Sequence, residues 1–476
     1  MTGLETLPVE ILQLIFGYTL PEPLPILSHA ALEPSPPSCL GSSTAAASAP
    51  CSWTTFPTRS AYLRTYALLS KTWSDWARRE MARHVVLRTA DQLRLFLRQR
   101  PRPYSTETLR IGGVERNGRL LDASRLGEVV DRVRWVRQVW LVQVENVDLR
   151  DLRNLQDLRA LICVSVSVSF SSASAQQPVP SAPPCFPHLH TLVLHQIHVS
   201  PFIRTILYES HSFDQLRVLA FDSAEVVEQI FDSDPEGMPR LVAMRPGHDL
   251  QFEYYTALDA VQDESPREDE DGEYDRSERR RTGLISLSAS SNFLGCFEHY
   301  APWLPDSIRR LSLDLSGGPE ATSLPPGTRT WLDPGVDAFV TAANRAASAR
   351  RARAAVVQLG QGDDGDDDEV DTTAFDADLF LEQLDEIVLP ADWFRLDPAS
   401  STAVQGQAAL DRAEMPDEVF ACFERLRTEH GVRLVRPPRS VVRLEVDGAD
   451  EMAPQDSLVP WRFLVEAQET LAAVPV

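Results

Sequence analysis

Between Leu7 and Thr19 the apolar positions recur at three- and four-residue intervals. Val9, Leu12 and Phe16 lie near one face, and Ile11, Leu14, Ile15 and Tyr18 widen it. That spacing predicts a short amphipathic helix. Pro8 suits its first position, Glu10 suits its positive end, and Pro21 and Pro23 stop it. The helical period returns from Ala61 with Tyr62, Leu63, Tyr66, Leu69, Trp73, Trp76 and Ala77. His84 to Leu87 reads as a first strand. Thr89-Ala-Asp-Gln92 has the form of a capping box and opens a helix with Leu93, Phe96 and Leu97 inward.

A loose repeat follows. Leu152, Leu155, Leu158 and Leu161 lead into Ile162-Cys163-Val164. Phe186, Leu189, Leu192, Leu194 and Ile197 repeat the arrangement, as do Phe213, Leu216, Leu219 and Phe221, with a weaker copy at Met238, Leu241 and Met244. Taking Leu158, Leu189, Leu216 and Leu241 as equivalent gives intervals of 31, 27 and 25 residues, close to the ~20–29 residues of leucine-rich repeats. The intervening segments predict helices. Ser200-Pro201 opens one with Phe202, Ile203, Ile206 and Leu207, and Ser223 opens another with Val226, Val227, Ile230 and Phe231. Strands joined this way must be parallel, and stacked units form a βα solenoid. Wider-spaced copies appear at Leu304, Ile308, Leu311, Leu313 and Leu315, and at Leu381, Leu384, Ile387 and Leu389. Pro416 to His430 predicts a helix with Val419, Phe420, Phe423 and Leu426 inward, Gly431 at its C′ position, and Val432 to Val435 as a closing strand. Ser457 to Leu471 predicts a last helix presenting Trp461, Leu464 and Leu471.

Composition marks the interruptions. A Ser-, Ala- and Pro-rich insertion over residues 21–58 and stretches at 171–184, 263–281 and 360–373 predict loops outside the core. The organisation expected is a helical module over residues 1–85, an irregular leucine-rich α/β domain over 86–446, and a tail over 447–476 with a helix.

Charge narrows the partners. The net charge is −23, but residues 61–160 carry 20 basic against 12 acidic side chains, while 161–476 carry 25 against 53. Most of the chain therefore repels nucleic acid, and the basic stretch alternates its arginines with apolar and acidic residues as solvated faces do. Of the 46 basic residues, Lys71 is the sole lysine. The six cysteines contain no CxxC pair, the N-terminus has no basic signal region, and no apolar run reaches membrane-span length. A cytoplasmic or nuclear protein is expected, with no membrane partner.

Leu7-Pro8-Val9-Glu10-Ile11-Leu12, followed after two residues by Ile15-Phe16, resembles the opening of an F-box, whose pattern runs LPxEIL, two residues, then IF. Leu68-Leu69-Ser70-Lys71-Thr72-Trp73 is similar to the family's second half, a Cys/Ser-Lys-x-Trp element after apolar positions. The resemblance covers roughly the first 85 residues, and the remainder resembles the leucine-rich part of many fungal members. It implies an α/β chain: a small helical F-box module followed by an irregular leucine-rich-repeat-like βα solenoid. It also implies a non-catalytic substrate-recognition adaptor of an SCF-type cullin–RING ubiquitin ligase. Such a subunit binds a Skp-type adaptor, and through it the cullin scaffold, while the leucine-rich domain holds a protein target. The alternative is an F-box-like leucine-rich interaction scaffold outside any ligase. Carried over, Leu7, Pro8, Ile11, Leu12, Ile15, Phe16 and Trp73 form the docking surface or support it. The 21–58 insertion departs from the family, which has a short connection there.

Other constellations carry less. Gly360-Gln-Gly362-Asp-Asp-Gly365 matches GxGxxG but lies among aspartates that repel a pyrophosphate, and the aspartate run lacks calcium-loop spacing. His188, His190, His195 and His198 are the densest histidines, better read as flanking buried leucines than as metal ligands. Arg345, Arg350, Arg351 and Arg353 read as a solvated helix face facing the nearby aspartates. No GxSxG, HExxH or P-loop pattern occurs, so neither an enzyme nor a cofactor is expected.

Overall fold

A computed structural model describes residues 7–19, 62–99, 106–113, 119–133, 135–168, 186–198, 215–221, 241–246, 284–301, 304–305, 307–315, 329–359, 372–394, 410–412, 414–437 and 459–473. In chain order the elements are α1 (Val9–Thr19), α2 (62–66), α3 (Lys71–Arg83), β1 (His84–Leu87), α4 (Ala90–Arg98), β2 (Thr108–Ile111), β3 (Leu121–Asp122), α5 (Leu126–Val130), β4 (Gln138–Val147) and β5 (Ala160–Val168). There follow β6 (Thr191–His198), β7 (Val218–Phe221), β8 (Ala243–Arg245), β9 (Ser286–Ala289), α6 (Ser291–Gly295), α7 (Phe297–Tyr300) and β10 (Arg310–Leu313). The series ends with α8 (Pro334–Leu359), α9 (Thr372–Gln383), β11 (Glu386–Val388), α10 (Asp417–Glu429), β12 (Arg433–Val435) and α11 (Trp461–Ala473). The chain divides into two compact units: Met1–Pro180 with Pro438–Val476, and Ser181–Pro437. Both are mixed α/β with parallel strands.

In the first unit β1, β2, β4 and β5 lie side by side in parallel, with β3 also on β4. The register aligns Val85, Leu109, Val139 and Leu161, then Leu87, Ile111, Leu141 and Cys163. These eight side chains are buried. They make the apolar face on which the connecting helices can bury their stripes, Leu93 and Leu97 of α4 and Leu126, Val129 and Val130 of α5. Thr89 caps α4, its Oγ1 accepting from Gln92 N at 3.2 Å. Gln92 Oε1 reaches back to Arg88 N at 2.7 Å, one residue beyond the usual box. Phe96, expected inward, is only half-buried. Gln143 and Ser165 sit opposite each other on β4 and β5, and both adopt left-handed backbone (φ 55° and 52°). Trp461 and Leu464 of α11, expected to be presented outward, are interior, and Trp461 lies on Trp140 of β4 with ring centroids 5.1 Å apart.

The second unit lines up β6 to β12 in sequence order, every neighbouring pair parallel. One register row runs Leu192, Leu219, Met244, Leu287, Leu311, Ile387, Leu434, all buried. Each contributes roughly 1.5–3 kcal/mol relative to exposure. The expected repeat has a definite structural meaning. Leu158, Leu189, Leu216 and Leu241 each stand two residues before a strand, and so do Leu284, Ile308 and Leu384. At each step from β6 to β11 the carbonyl just before one strand accepts two amides from the next repeat, as His190 O does from Arg217 N (2.8 Å) and Val218 N (3.0 Å), and Arg309 O from Asp385 N (2.8 Å) and Glu386 N (3.1 Å); at the last step Asp385 O accepts from Arg433 N alone (3.0 Å).

The helices of this unit share an aromatic core: Phe297 against Phe339 (4.9 Å) and Phe380 (5.7 Å), and Phe423 against Phe339 (6.0 Å) and Trp393 (5.2 Å). Gly431 takes φ +72° after α10, as its C′ role requires. Phe420, expected inward on α10, is half-buried under the Arg412 guanidinium, 5.2 Å away. Thr372 and Thr373, expected in a loop, open α9. The helices expected near 200–207 and 223–231, the insertion at 21–58 and the loops at 171–184 and 263–281 lie outside the described residues, as do residues 360–371.

Candidate docking surface

The two motif halves fold against each other although residues 20–61 lie between them. Phe16 of α1 is buried with Leu63, Trp73 and Ala77, flanked by Ile15, Tyr66, Ala67, Trp76 and Met81. Its ring stands 5.4 Å from Trp73, 5.5 Å from Tyr66 and 5.7 Å from Trp76. Tyr66 donates its hydroxyl hydrogen bond to Thr19 O at 2.8 Å, closing the C-terminal end of α1 onto α2. The single helical period expected from Ala61 is broken. Residues 67–69 turn, and Ser70 caps α3 by accepting from Trp73 N at 3.3 Å. That break throws Leu68 and Leu69 outward, 87% and 60% exposed.

The sequence-derived site residues separate into three groups. Leu7, Pro8 and Ile11 are exposed, Leu12 and Ile15 are half-buried, and Phe16 and Trp73 are interior. The last two therefore hold the helices together, while the first three face outward. Val9, Leu14, Tyr18, Tyr62, Leu68 and Leu69 add further exposed apolar surface to the module. Sequence reasoning named none of these six as site residues; the signal for the last pair was the capping serine that follows them. Lys71, the first residue of α3, is exposed beside it.

The second unit carries a different kind of row, buried at one end and exposed only at the other. The face opposite its leucines aligns Thr191, Val218, Ala243, Ser286, Arg310, Glu386 and Arg433. Glu386 pairs with both strand neighbours, Arg310 at 3.2 Å and Arg433 at 2.9 Å. Further along this face Arg245 pairs with Asp314 at 2.8 Å, both buried, near a buried His195. Burial, and then the Arg245 charge, hold His195 down to about 4 against the opposing pull of Asp314.

The remaining candidates do not form chemical sites. His188 is exposed and His195 buried, and among the described residues no group of three His, Cys, Asp or Glu is placed to hold a metal ion. Arg345 and Arg350 lie on α8 and pair with Glu298 (2.8 Å) and Glu382 (2.5 Å). The expected aspartate partners lie among residues 360–371. Burial pushes the Cys163 thiol up to about 12 and the Cys422 thiol up to about 11, so neither is a ready nucleophile. Among the described residues no helix is long and apolar enough to cross a membrane. No protein-family model matches the chain, and neither does any curated protein.

Proposed function

We propose that the chain is a non-catalytic adaptor that binds a Skp-type subunit through its helical module and recruits a protein target through its leucine-rich part to an SCF-type cullin–RING ubiquitin ligase, in the cytoplasm or nucleus. One observation carries the reading. The two F-box-like halves, far apart in the chain, close on a shared Phe16–Trp73 core and leave Leu7, Ile11, Leu14, Leu68 and Leu69 at the surface. Helices this short bury too little by themselves, and an apolar face left outside such a module suits a helical partner. Work by such an adaptor is proximity: one end holds the ligase and the other the target.

The test is co-purification of the full chain with a Skp-type adaptor and cullin, comparing wild type with Ile11→Asp and Leu14→Asp together. Placing carboxylates in an apolar contact costs several kcal/mol, so loss of adaptor binding with an unchanged circular dichroism spectrum is expected. Unaltered binding by the double variant overturns the placement of the surface. Adaptor binding without cullin supports the scaffold outside a ligase instead.

A further inference from the structure

Lysine is the side chain to which acyl groups, ubiquitin among them, are joined through an amide bond, and the permanently protonated guanidinium of arginine does not replace it as a nucleophile. The 46 basic residues of the chain are 45 arginines and Lys71. Any amine-directed modification of a side chain therefore falls on that one residue. Its place is definite. Lys71 is the first residue of α3, is exposed, and has no hydrogen bond or ion pair to any described residue. Ser70 beside it is held as the cap of α3, its Oγ accepting from Trp73 N at 3.3 Å.

We propose that Lys71 is the modification site of this chain, that ubiquitin is the group it accepts, and that ubiquitin at Lys71 and a Skp-type subunit on the Leu68–Leu69 surface exclude one another. The choice of ubiquitin and of the excluded partner rests on the adaptor reading. In the transfer, neutral Lys71 Nζ attacks the thioester carbonyl of ubiquitin's C-terminal glycine on the cysteine of a carrier enzyme. A C–N bond forms, the C–S bond breaks, and the proton lost by nitrogen leaves with the sulfur as a thiol. Nothing is oxidised or reduced. Three observations carry the proposal.

The first is proximity. Leu68 and Leu69 are 87% and 60% exposed, and only the capping Ser70 stands between Leu69 and Lys71. The Cα atoms of Leu69 and Lys71 are therefore no more than about 7 Å apart. A subunit that covers the two leucines reaches the stem of Lys71, and ubiquitin, a folded domain in its own right, cannot share that ground. The second is charge. The first turn of α3 has no acidic side chain, so the lysine cation meets the positive end of the helix unbalanced. An amide at Nζ removes that charge, and the modification does not weaken the helix that carries it. The third is position within the module. Lys71 is exposed outside the core of Phe16, Leu63, Trp73 and Ala77, so a bulky group attached there leaves that core intact. A chain seated on its adaptor then shields its one lysine, and a chain without an adaptor presents it.

The test uses the full chain, a purified Skp-type adaptor, and ubiquitin held as a thioester on a carrier enzyme with a RING domain to activate it. Mass spectrometry locates and times the product. The free chain is expected to take ubiquitin at Lys71, Lys71→Arg to give no side-chain product, and saturating adaptor to slow transfer at Lys71 at least tenfold. The chain carrying ubiquitin at Lys71 is then titrated with adaptor. It is expected to bind at least tenfold more weakly than the unmodified chain, with unchanged hydrogen exchange over α1 and α3. Product at the terminal amine alone, or equal transfer rates with and without adaptor, overturns the proposal. So does loss of protection in α1 and α3 on modification, because the lost binding then comes from unfolding. An unmodified chain that binds no adaptor removes the adaptor reading and this exclusion together, whereas equal adaptor affinity with and without ubiquitin removes the exclusion alone.

Discussion

Arg245 Nε donates to Asp314 Oδ2 at 2.8 Å across the width of β9, and both side chains are almost fully screened from water. The pair fixes the end of β8 to the end of β10. Asp314→Ala leaves a buried guanidinium without its carboxylate and is expected to cost on the order of 3–5 kcal/mol. Arg245→Met with Asp314→Leu removes both charges and is expected to be near neutral. Urea unfolding of the three proteins checks this, and a cost below about 1 kcal/mol for Asp314→Ala would mean that water reaches Arg245.

His195 makes the same region sensitive to acid. Its folded value, about 4, lies below the ordinary 6.5. Above pH 6.5 the imidazole is neutral folded or unfolded and contributes nothing. Between those two values the unfolded chain binds a proton that the folded chain does not, so stability falls as pH falls, and below about 4 the loss is complete. The full loss is about 3 kcal/mol. His195→Gln should flatten the stability slope between pH 6.5 and 4. His430 also titrates below its ordinary value, by burial despite Asp378 at 3.9 Å. It acts in the same direction, so the difference between wild type and variant is the informative quantity. Equal slopes would show that His195 is not shielded.

Two glycines sit where a side chain has no room. A Cβ on Gly112, whose φ is +145°, would meet Val142 O at 1.8 Å, and one on Gly335 would meet Ser291 O at 2.0 Å. Both obstacles are backbone, so neither can rotate aside. Gly112→Ala and Gly335→Ala are each expected to cost several kcal/mol or to prevent folding. Gly17, inside α1 with nothing within 4 Å, is the contrast. There Ala should stabilise the helix by roughly 0.5–1 kcal/mol. Thermal unfolding of the three variants orders them.

What the sequence made legible was whatever depends on near neighbours. Thr89, Gly431 and the leucines before β5 to β8 announce a cap, a stop and a repeat through local chemistry. The strand Ser286-Leu287-Ser288-Ala289 did not declare itself, because one large apolar residue among serines has no visible alternation; its burial comes from strands on either side. The seat of α11 was hidden for a related reason. Nothing in Trp461 and its neighbours specifies that Trp140, some three hundred residues earlier, is what they meet. In the N-terminal helical module the helical period was legible, but it named Phe16 and Trp73 alongside Leu7 and Ile11 without separating core from surface.

That separation can be measured. Phe16→Ala removes the ring shared by Tyr66, Trp73 and Trp76 and is expected to cost about 3–5 kcal/mol within the module. Leu68→Asp, at an exposed turn, should change stability by no more than about 0.5 kcal/mol. Hydrogen exchange over α3 distinguishes them: rapid in the first, unchanged in the second. Protection of α3 in Phe16→Ala would place the module's core elsewhere.

Lys71 offers a reporter that needs no engineering. It is the sole lysine and is exposed at the start of α3, next to Leu69 and Ser70. An amine-reactive reagent should modify this side chain and the terminal amine, and no other side-chain amine. Adaptor docking on the Leu68–Leu69 surface should slow labelling at Lys71 and leave the terminal amine as the internal standard. Mass spectrometry of the labelled peptides reads both rates, and equal rates with and without adaptor would move the contact away from α3.

The carbonyl before each of β6 to β10 takes two amides from the following repeat, and this frees the connectors from any role in spacing. The stretches 246–285 and 314–385 differ greatly in length from 290–309, yet β8 to β11 keep their places side by side. The sheet behaves like the spine of a book: pages of any number can be sewn between two stitches, and the stitches stay where they are. A lineage of such chains can therefore acquire new surface, segment by segment, without renegotiating its core.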